Sequence, residues 1–77
     1  MVTVLRAQGY RFVIFANDHL PAHVHAFGDG EAKIDLSGEA PKLLWAVDMK
    51  RGDVRRVMAV AREHRGILLE RLTTIHG

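Results

Sequence analysis

The chain has 77 residues, of which 48% are hydrophobic and 26% charged, with no cysteine and a net charge of +2. This length suits one small domain with a thin core, and the apolar content is too high for a disordered chain. Without cysteine, disulfides, thiol catalysis and thiolate metal sites are excluded. We therefore expect a single domain over residues 1–77, stabilised by a partner chain, a bound metal or a helix packed on a sheet.

The start of the chain does not combine a basic segment with a long apolar run, so we expect no signal peptide. No apolar run approaches the ~20 residues that span a bilayer. These observations predict a cytoplasmic protein without a membrane partner. Charge is uneven along the chain: residues 1–49 carry four basic and six acidic side chains, and residues 50–77 carry seven basic and three acidic ones. A basic second half favours an acidic partner or nucleic acid, although a solvated helix face gives the same pattern.

Apolar and polar residues alternate with a period of two in the first half, which predicts β-strands. Gln8 and Gly9 mark the first turn, and four of the five aromatic residues, Tyr10, Phe12, Phe15 and Trp45, are expected in the core. The predicted strands cover about residues 2–6, 10–16, 23–27, 31–36 and 42–47.

The third and fourth strands predict a hairpin around residues 28–30. A three-residue turn with Gly30 in the left-handed conformation separates the apolar side chains from the polar ones, whereas a two-residue turn mixes them. The predicted cross-strand pairs are Phe27 with Glu31, Ala26 with Ala32, His25 with Lys33, Val24 with Ile34, and His23 with Asp35.

From about residue 51 the apolar period becomes helical, and one stripe stays in phase across Gly66. The sequence thus predicts one long helix over about residues 51–75, with a bend at Gly66. The fold class is α+β: a small antiparallel sheet of about four to five strands, covered on one face by this helix and free on the other. The stripe comprises Val54, Val57, Met58, Ala61, Leu68, Leu72 and Ile75.

Three of the five histidines, His19, His23 and His25, lie within seven positions. On a strand, residues i and i+2 share a face, so the side chains of His23 and His25 project together. His19 precedes a proline-fixed loop and has the length of chain needed to fold back toward them. The predicted register places Asp35 opposite His23 and Lys33 opposite His25.

Three interpretations of this cluster remain open. His19, His23 and His25 have the donor type for a divalent transition metal such as zinc or nickel. Without a metal, His23 and His25 suit acid/base cleavage of RNA through the 2′-hydroxyl, with Asp35 orienting His23 and Lys33 stabilising the phosphorane-like transition state. The third interpretation is that the histidines are half-exposed strand residues or contact a partner protein.

The predicted helix adds a second candidate feature. Arg51, Arg55 and Arg62 lie together beside the apolar stripe, and Arg65 lies within it. A guanidinium matches the geometry of a phosphate, so Arg55, Arg62, Arg65 and Lys33 are candidate phosphate-binding residues. The other interpretation of Arg65 is an aliphatic stem that packs on the core while its charged end reaches water.

Five stretches of the chain together match the pattern of a known family. They are Val4-Leu5-Arg6, Gly9-Tyr10-Arg11-Phe12, Asn17-Asp18-His19-Leu20-Pro21-Ala22-His23-Val24-His25, Gly30-Glu31-Ala32-Lys33, and Glu63-His64-Arg65 followed by Leu68-Leu69. In these stretches the chain resembles a short prokaryotic family called domain of unknown function 4160. The resemblance covers nearly the whole chain and is most specific over residues 17–25. The chain departs from the family at Ala22, where a second proline is usual, and at Gly66, where an acidic residue is usual.

The resemblance implies a small bacterial protein encoded beside another small domain of unknown function, numbered 2442, in a toxin–antitoxin-like pair whose suspected toxin is this family. It therefore implies a small cognate partner protein, with a homodimer as the other candidate assembly, and it establishes no reaction. The family's characteristic residues map onto His19, His23, His25, Glu31, Lys33 and His64.

Overall fold

The computed structural model describes residues 2–15 and 22–76, and the side chains of residues 75 and 76 are not described. Five antiparallel strands form one sheet in the order β1-β2-β3-β4-β5, so each strand pairs with its neighbour in sequence. Two helices follow. The elements are β1 (Val2–Ala7), β2 (Tyr10–Ile14), β3 (His23–Phe27), β4 (Glu31–Asp35), β5 (Lys42–Val47), α1 (Arg51–Glu63) and α2 (Arg65–His76).

The predicted α+β class and the five predicted strands are confirmed, while the single long helix is wrong. The helix is interrupted at His64, whose φ of −109° and ψ of 18° depart from helical values. The His64 N–H donates to the Val60 carbonyl, and the Leu68 N–H donates to the His64 carbonyl. The hydrogen bonds thus continue past the break, which lies two residues before the glycine where a bend was expected.

Two short turns fix the strand pairing. Gln8 and Gly9 both have positive φ, the conformation of a two-residue type I′ hairpin turn between β1 and β2. The β3–β4 register is the predicted one, with Phe27 opposite Glu31 and His23 opposite Asp35. The left-handed conformation expected at Gly30 is absent. Glycine is needed there for space, since a Cβ atom would overlap the backbone carbonyls at the end of β5.

The core lies between one sheet face and the two helices. Its sheet side consists of alternate residues. Its helix side consists of Val57, Ala61, Leu68 and Leu72 from the predicted stripe together with Val60, and Met58 is partly buried against them. α1 contacts β5 and α2 contacts β1, so the helices cover the sheet from one edge to the other. The most buried side chains of this cluster are Phe12, Ile14, Val24, Ala26, Ala32, Ile34, Leu36, Val57, Val60, Ala61 and Leu68.

Two of the predicted core aromatics belong elsewhere. Tyr10 and Phe12 are in the core as expected, whereas Trp45 is 39% exposed and Phe15 packs beside His25 on the opposite sheet face. Trp45 follows a register shift in β5 and pairs with Lys33, which turns its ring away from the helices. Within the described chain, neither helix is long and apolar enough to cross a bilayer.

Candidate functional site

The sheet face opposite the helices, here called the histidine face, carries polar side chains from β1 to β4 and apolar ones from β5. Its residues alternate with core residues along each strand, which places them together. Val13 is also on this face and is fully buried. The histidine face comprises Arg6, Arg11, Val13, His23, His25, Phe27, Glu31, Lys33, Asp35, Trp45 and Val47.

His23 and His25 lie side by side on β3, with ring centroids 5.7 Å apart. The expectation of a free sheet face is wrong at this point, because His23 is only 5% exposed and His25 only 8%. Aromatic rings contribute to this burial. The centroid of His25 lies 4.6 Å from that of Phe15, 6.0 Å from that of Trp45 and 6.3 Å from that of Phe27.

His25 forms a hydrogen-bonded pair with Glu31, since its Nδ1 atom lies 3.0 Å from Oε2. An ionised carboxylate only accepts hydrogen bonds, so Nδ1 carries the proton in this pair. In that tautomer Nε2 is the nitrogen that accepts a proton or binds a metal. The carboxylate also stabilises a positive charge that forms on the ring, which is the role of the acid in a catalytic triad.

The structure places Asp35 and Lys33 as predicted in register, opposite His23 and His25 respectively. The Oδ1 atom of Asp35 accepts hydrogen bonds from the Ser37 hydroxyl at 2.6 Å and from the Ser37 N–H at 2.8 Å. These two bonds, followed by the nearby charges of Lys42 and His23, hold the pKa of Asp35 below its usual value. The carboxylate thus stays ionised beside the histidines, and its orienting role stays a prediction.

The candidate arginines are not part of this face. Arg55 and Arg62 are exposed on α1, across the sheet from the histidines. Arg65 extends from the start of α2 to the connection after β4. Its Nη2 atom donates to the Leu36 carbonyl at 3.2 Å and to the Gly38 carbonyl. Its guanidinium therefore joins α2 to the sheet, and a phosphate-binding role for it stays a prediction.

The metal interpretation also stays a prediction. His19 lies outside the described residues, and the described ones contain no group of three histidine, cysteine or acidic residues arranged to hold a metal ion. The His25–Glu31 pair is nevertheless compatible with a metal ligand, because metal-binding histidines commonly donate their second ring nitrogen to a carboxylate.

Sequence reasoning missed two parts of this site. The resemblance names Glu31 as a characteristic residue, but the sequence does not pair it with His25. In the structure it lies diagonally across from His25, two residues before the direct partner Lys33. Diagonal neighbours in a sheet are within reach of long side chains, so the predicted register already contained this pair. The aromatic residues around His25 were missed because Phe15 and Trp45 were assigned to the core.

Comparison with known proteins gives one result. A family model described as Domain of unknown function (DUF4160) matches residues 9–71. The chain belongs to this family. The match to DUF4160 runs from the turn before β2 to the middle of α2, and it confirms the family resemblance of the sequence. No curated protein and no solved structure matches the chain. Membership of DUF4160 carries no activity, so the toxin-like role is a proposal.

Proposed function

We propose that this DUF4160 protein cleaves RNA at the histidine face, as the toxin-like component of a two-gene module. The observation that carries the proposal is the His25–Glu31 pair with the ring of His23 beside it. Two imidazoles 5.7 Å apart reach different atoms of one phosphodiester, and one of them is held by a carboxylate. This arrangement suits a reaction that needs one general base and one general acid near neutral pH.

In the proposed reaction, His25 takes the proton of the RNA 2′-hydroxyl, and Glu31 stabilises the imidazolium that forms. The 2′-oxygen attacks the adjacent phosphorus, and the bond from phosphorus to the 5′-oxygen breaks. His23 donates a proton to this leaving oxygen, with Asp35 stabilising its charged form. The products are a 2′,3′-cyclic phosphate and a 5′-hydroxyl. Lys33, opposite His25, stabilises the negative charge on the phosphorane.

The burial of both rings sets a condition for this reaction. Phe15, Phe27 and Trp45 pack around His25, so a phosphate reaches the imidazoles only when these rings move aside. Trp45 and Phe27 are then next to the incoming strand. Aromatic side chains of this kind stack on unpaired bases, which favours single-stranded RNA over a duplex.

The test is cleavage of a single-stranded RNA by the purified chain and by His23→Gln and His25→Gln variants, which keep a polar side chain in the buried site. Each variant should lower the cleavage rate by about 100-fold or more, the usual contribution of a general acid or base. His64→Gln, at the break between the helices, is the matched control and should keep full activity. Thermal melting verifies that each variant is folded.

Expression of the wild-type chain should arrest growth, and the double variant His23→Gln with His25→Gln should relieve the arrest.

Replacing the 2′-hydroxyls of the substrate by hydrogen should abolish cleavage, because the attacking group is then missing. Unchanged cleavage or arrest by a folded double variant would refute the catalytic assignment.

A second candidate is a non-enzymatic interaction module that uses the β5 edge of the sheet. Three large apolar residues of this edge strand are exposed: Leu44 by 43%, Trp45 by 39% and Val47 by 54%. Exposed edge strands are templates for pairing with another strand, and charges within them usually prevent it. β5 has Lys42 at its start and Asp48 directly after its end, with no charge between them. The geometry favours a second copy of the chain as the partner.

A further inference from the structure

Two arginines oppose each other on the first hairpin of the sheet. Arg6 on β1 and Arg11 on β2 are direct Cα partners in the antiparallel ladder. Both belong to the histidine face, because their sequence neighbours, including Ala7 and Phe12, pack toward the helices. Like charges placed directly opposite on one face destabilise a strand pair. This hairpin therefore carries an electrostatic cost that an anion between the two side chains would remove.

Nothing in the described structure neutralises this pair. The ion pairs among the described residues join His25 to Glu31 and Arg56 to Asp53, so neither Arg6 nor Arg11 takes part. Arg11 is held in position from one side, because its guanidinium carbon lies 5.4 Å from the centroid of Phe27. Its Nε atom is buried, so the terminal nitrogens of the guanidinium are the donors that a ligand can reach.

The hairpin also provides a space for a ligand. Arg6 and Arg11, with the four residues between them, line a surface groove of about 360 Å³. The two-residue turn at Gln8 and Gly9 fixes the distance between the strands. The turn thus fixes the backbone positions of the two arginines, and the planar fork of a guanidinium matches the oxygens of a phosphate.

Arg11 lies beside the aromatic residues that adjoin the histidines. Phe27, under Arg11, is nearly parallel to the ring of His25, with an interplanar angle of 17° and centroids 6.3 Å apart. The two arginines, on β1 and β2, are thus followed on β3 by the ring of Phe27 and then by the ring of His25. A nucleic-acid strand held by its phosphate at the arginines would lie with the next part of its backbone over the histidine face.

We infer that Arg6 and Arg11 bind a backbone phosphate of single-stranded RNA and so set the strand across the histidine face. This inference rests on the proposed function and gives it a phosphate site on the β1–β2 hairpin. The sequence had suggested the helix arginines Arg55 and Arg62 for this role, but they lie on the opposite side of the sheet from the histidines.

The test uses a fluorescent single-stranded oligonucleotide with 2′-hydrogens, which binds without being cleaved. Fluorescence anisotropy at several salt concentrations gives the affinity and its salt dependence. The double variant Arg6→Gln with Arg11→Gln should weaken binding about 10-fold or more. The slope of log affinity against log salt should become less steep by about 0.7 to 1.4, the value for one to two phosphate contacts on a single strand.

The matched control is Arg55→Gln with Arg62→Gln, which removes the same charge from α1 and should leave affinity within about twofold of wild type. Equal loss in both double variants would overturn the inference in favour of general charge attraction, and loss in the control alone would place the site on the helix. Chemical shifts of residues 6–11 on titration with inorganic phosphate provide a second measurement. Shifts that saturate with phosphate while the oligonucleotide does not bind would identify a free-phosphate site and overturn the RNA assignment.

Cleavage activity is measured separately, so the two proposals fail in different ways. Oligonucleotide binding through Arg6 and Arg11 without any cleavage of RNA would retain the phosphate site and reject the catalysis. If cleavage depends on His23 and His25 while the affinity for the oligonucleotide is unchanged in the Arg6 and Arg11 double variant, the catalysis is retained and the phosphate site is rejected.

Discussion

The tyrosine at the start of β2 links the sheet directly to the first turn of α1. The Tyr10 hydroxyl donates to Oδ1 of Asp53 at 2.7 Å, and Nη2 of Arg56 donates to the same oxygen at 2.9 Å. The Lys50 N–H donates to Oδ2 at 3.3 Å, which satisfies one of the backbone donors at the helix start. These three bonds, that of Tyr10 above all, hold the pKa of Asp53 below its usual value.

This pKa shift predicts how acid affects stability. A carboxyl whose pKa is lower when folded stabilises the protein fully above its unfolded pKa of about 3.9, and this contribution is lost as the pH falls through the folded pKa. Asp53→Asn should therefore lower the melting temperature at pH 7, and its difference from wild type should shrink as the pH falls below about 4. Asp29→Asn, on the exposed β3–β4 turn, is the control. A difference that does not depend on pH would contradict the assignment.

For individual residues, the sequence predicted which side chains lie opposite each other on neighbouring strands, but not which of their atoms form hydrogen bonds. The pairing of His23 with Asp35 and of His25 with Lys33 followed from alternation and the turn length. The hydrogen bond from His25 to Glu31 and the bonds from Ser37 to Asp35 depend on rotamers, which the pattern of apolar and polar residues does not determine. The burial of His25 was missed because its aromatic neighbours Phe15 and Trp45 were expected in the core.

Among the elements, α2 is attached to the sheet through one side chain near its start. Arg65 donates to the carbonyls of Leu36 and Gly38, in the connection from β4 to β5. Leu36 is itself fully buried, and its N–H donates to the Ala22 carbonyl. Arg65 thus satisfies backbone acceptors that follow β4, while the apolar residues Leu68 and Leu72 pack one and two turns further along the helix.

Arg65→Met keeps most of the side-chain length and removes these hydrogen bonds. It should lower the free energy of unfolding by about 1–2 kcal/mol, because hydrogen bonds from a charged donor are lost and a carbonyl beside the core is left without its partner. Urea unfolding of the variant provides the measurement. Arg62→Met, on the exposed side of α1, should change stability by less than about 0.5 kcal/mol. Equal stability of the two variants would show that the Arg65 bonds contribute nothing.

The element boundaries were predictable where a turn signal or an apolar period marks them. Gln8-Gly9 and the glycine-containing turn at residues 28–30 ended strands as expected. The break at His64 carries no such signal, since the apolar stripe continues in phase across it. The close packing at Gly30 was also not predicted. The sequence indicates a glycine that is needed for a left-handed turn conformation, whereas in the structure the end of β5 leaves no room for a Cβ atom there.

At the scale of the whole molecule, the sheet has two edge strands, β1 and β5. Of these, β5 has a sequence that suits pairing with a second copy of itself. An antiparallel pairing of two β5 strands centred on Trp45 places Lys42 of each copy opposite Asp48 of the other. Such a contact has twofold symmetry and closes on itself, as homodimer interfaces do. The same operation extends the sheet of one copy into that of the other.

Light scattering after size-exclusion chromatography should therefore show a concentration-dependent dimer. Val47→Lys should shift the equilibrium to monomer, because two added charges face the apolar edge of the partner. Val2→Lys, at the similarly exposed valine of β1, is the matched control and should leave the dimer intact. A monomer at every concentration would reject this assembly, and dissociation by Val2→Lys alone would move the interface to the other edge.

The strictly sequential order of the strands has a consequence for how the chain folds. Every strand finds its partner a few residues away, so loop closure is inexpensive and the sheet can form hairpin by hairpin as the chain leaves the ribosome. Both helices follow the five strands, and they supply five of the thirteen buried residues of the core cluster. Until they are synthesised, the apolar face around Phe12, Ile14 and Ile34 has no cover. The interval between completion of the sheet and arrival of the helices is therefore when the nascent protein is most prone to aggregate.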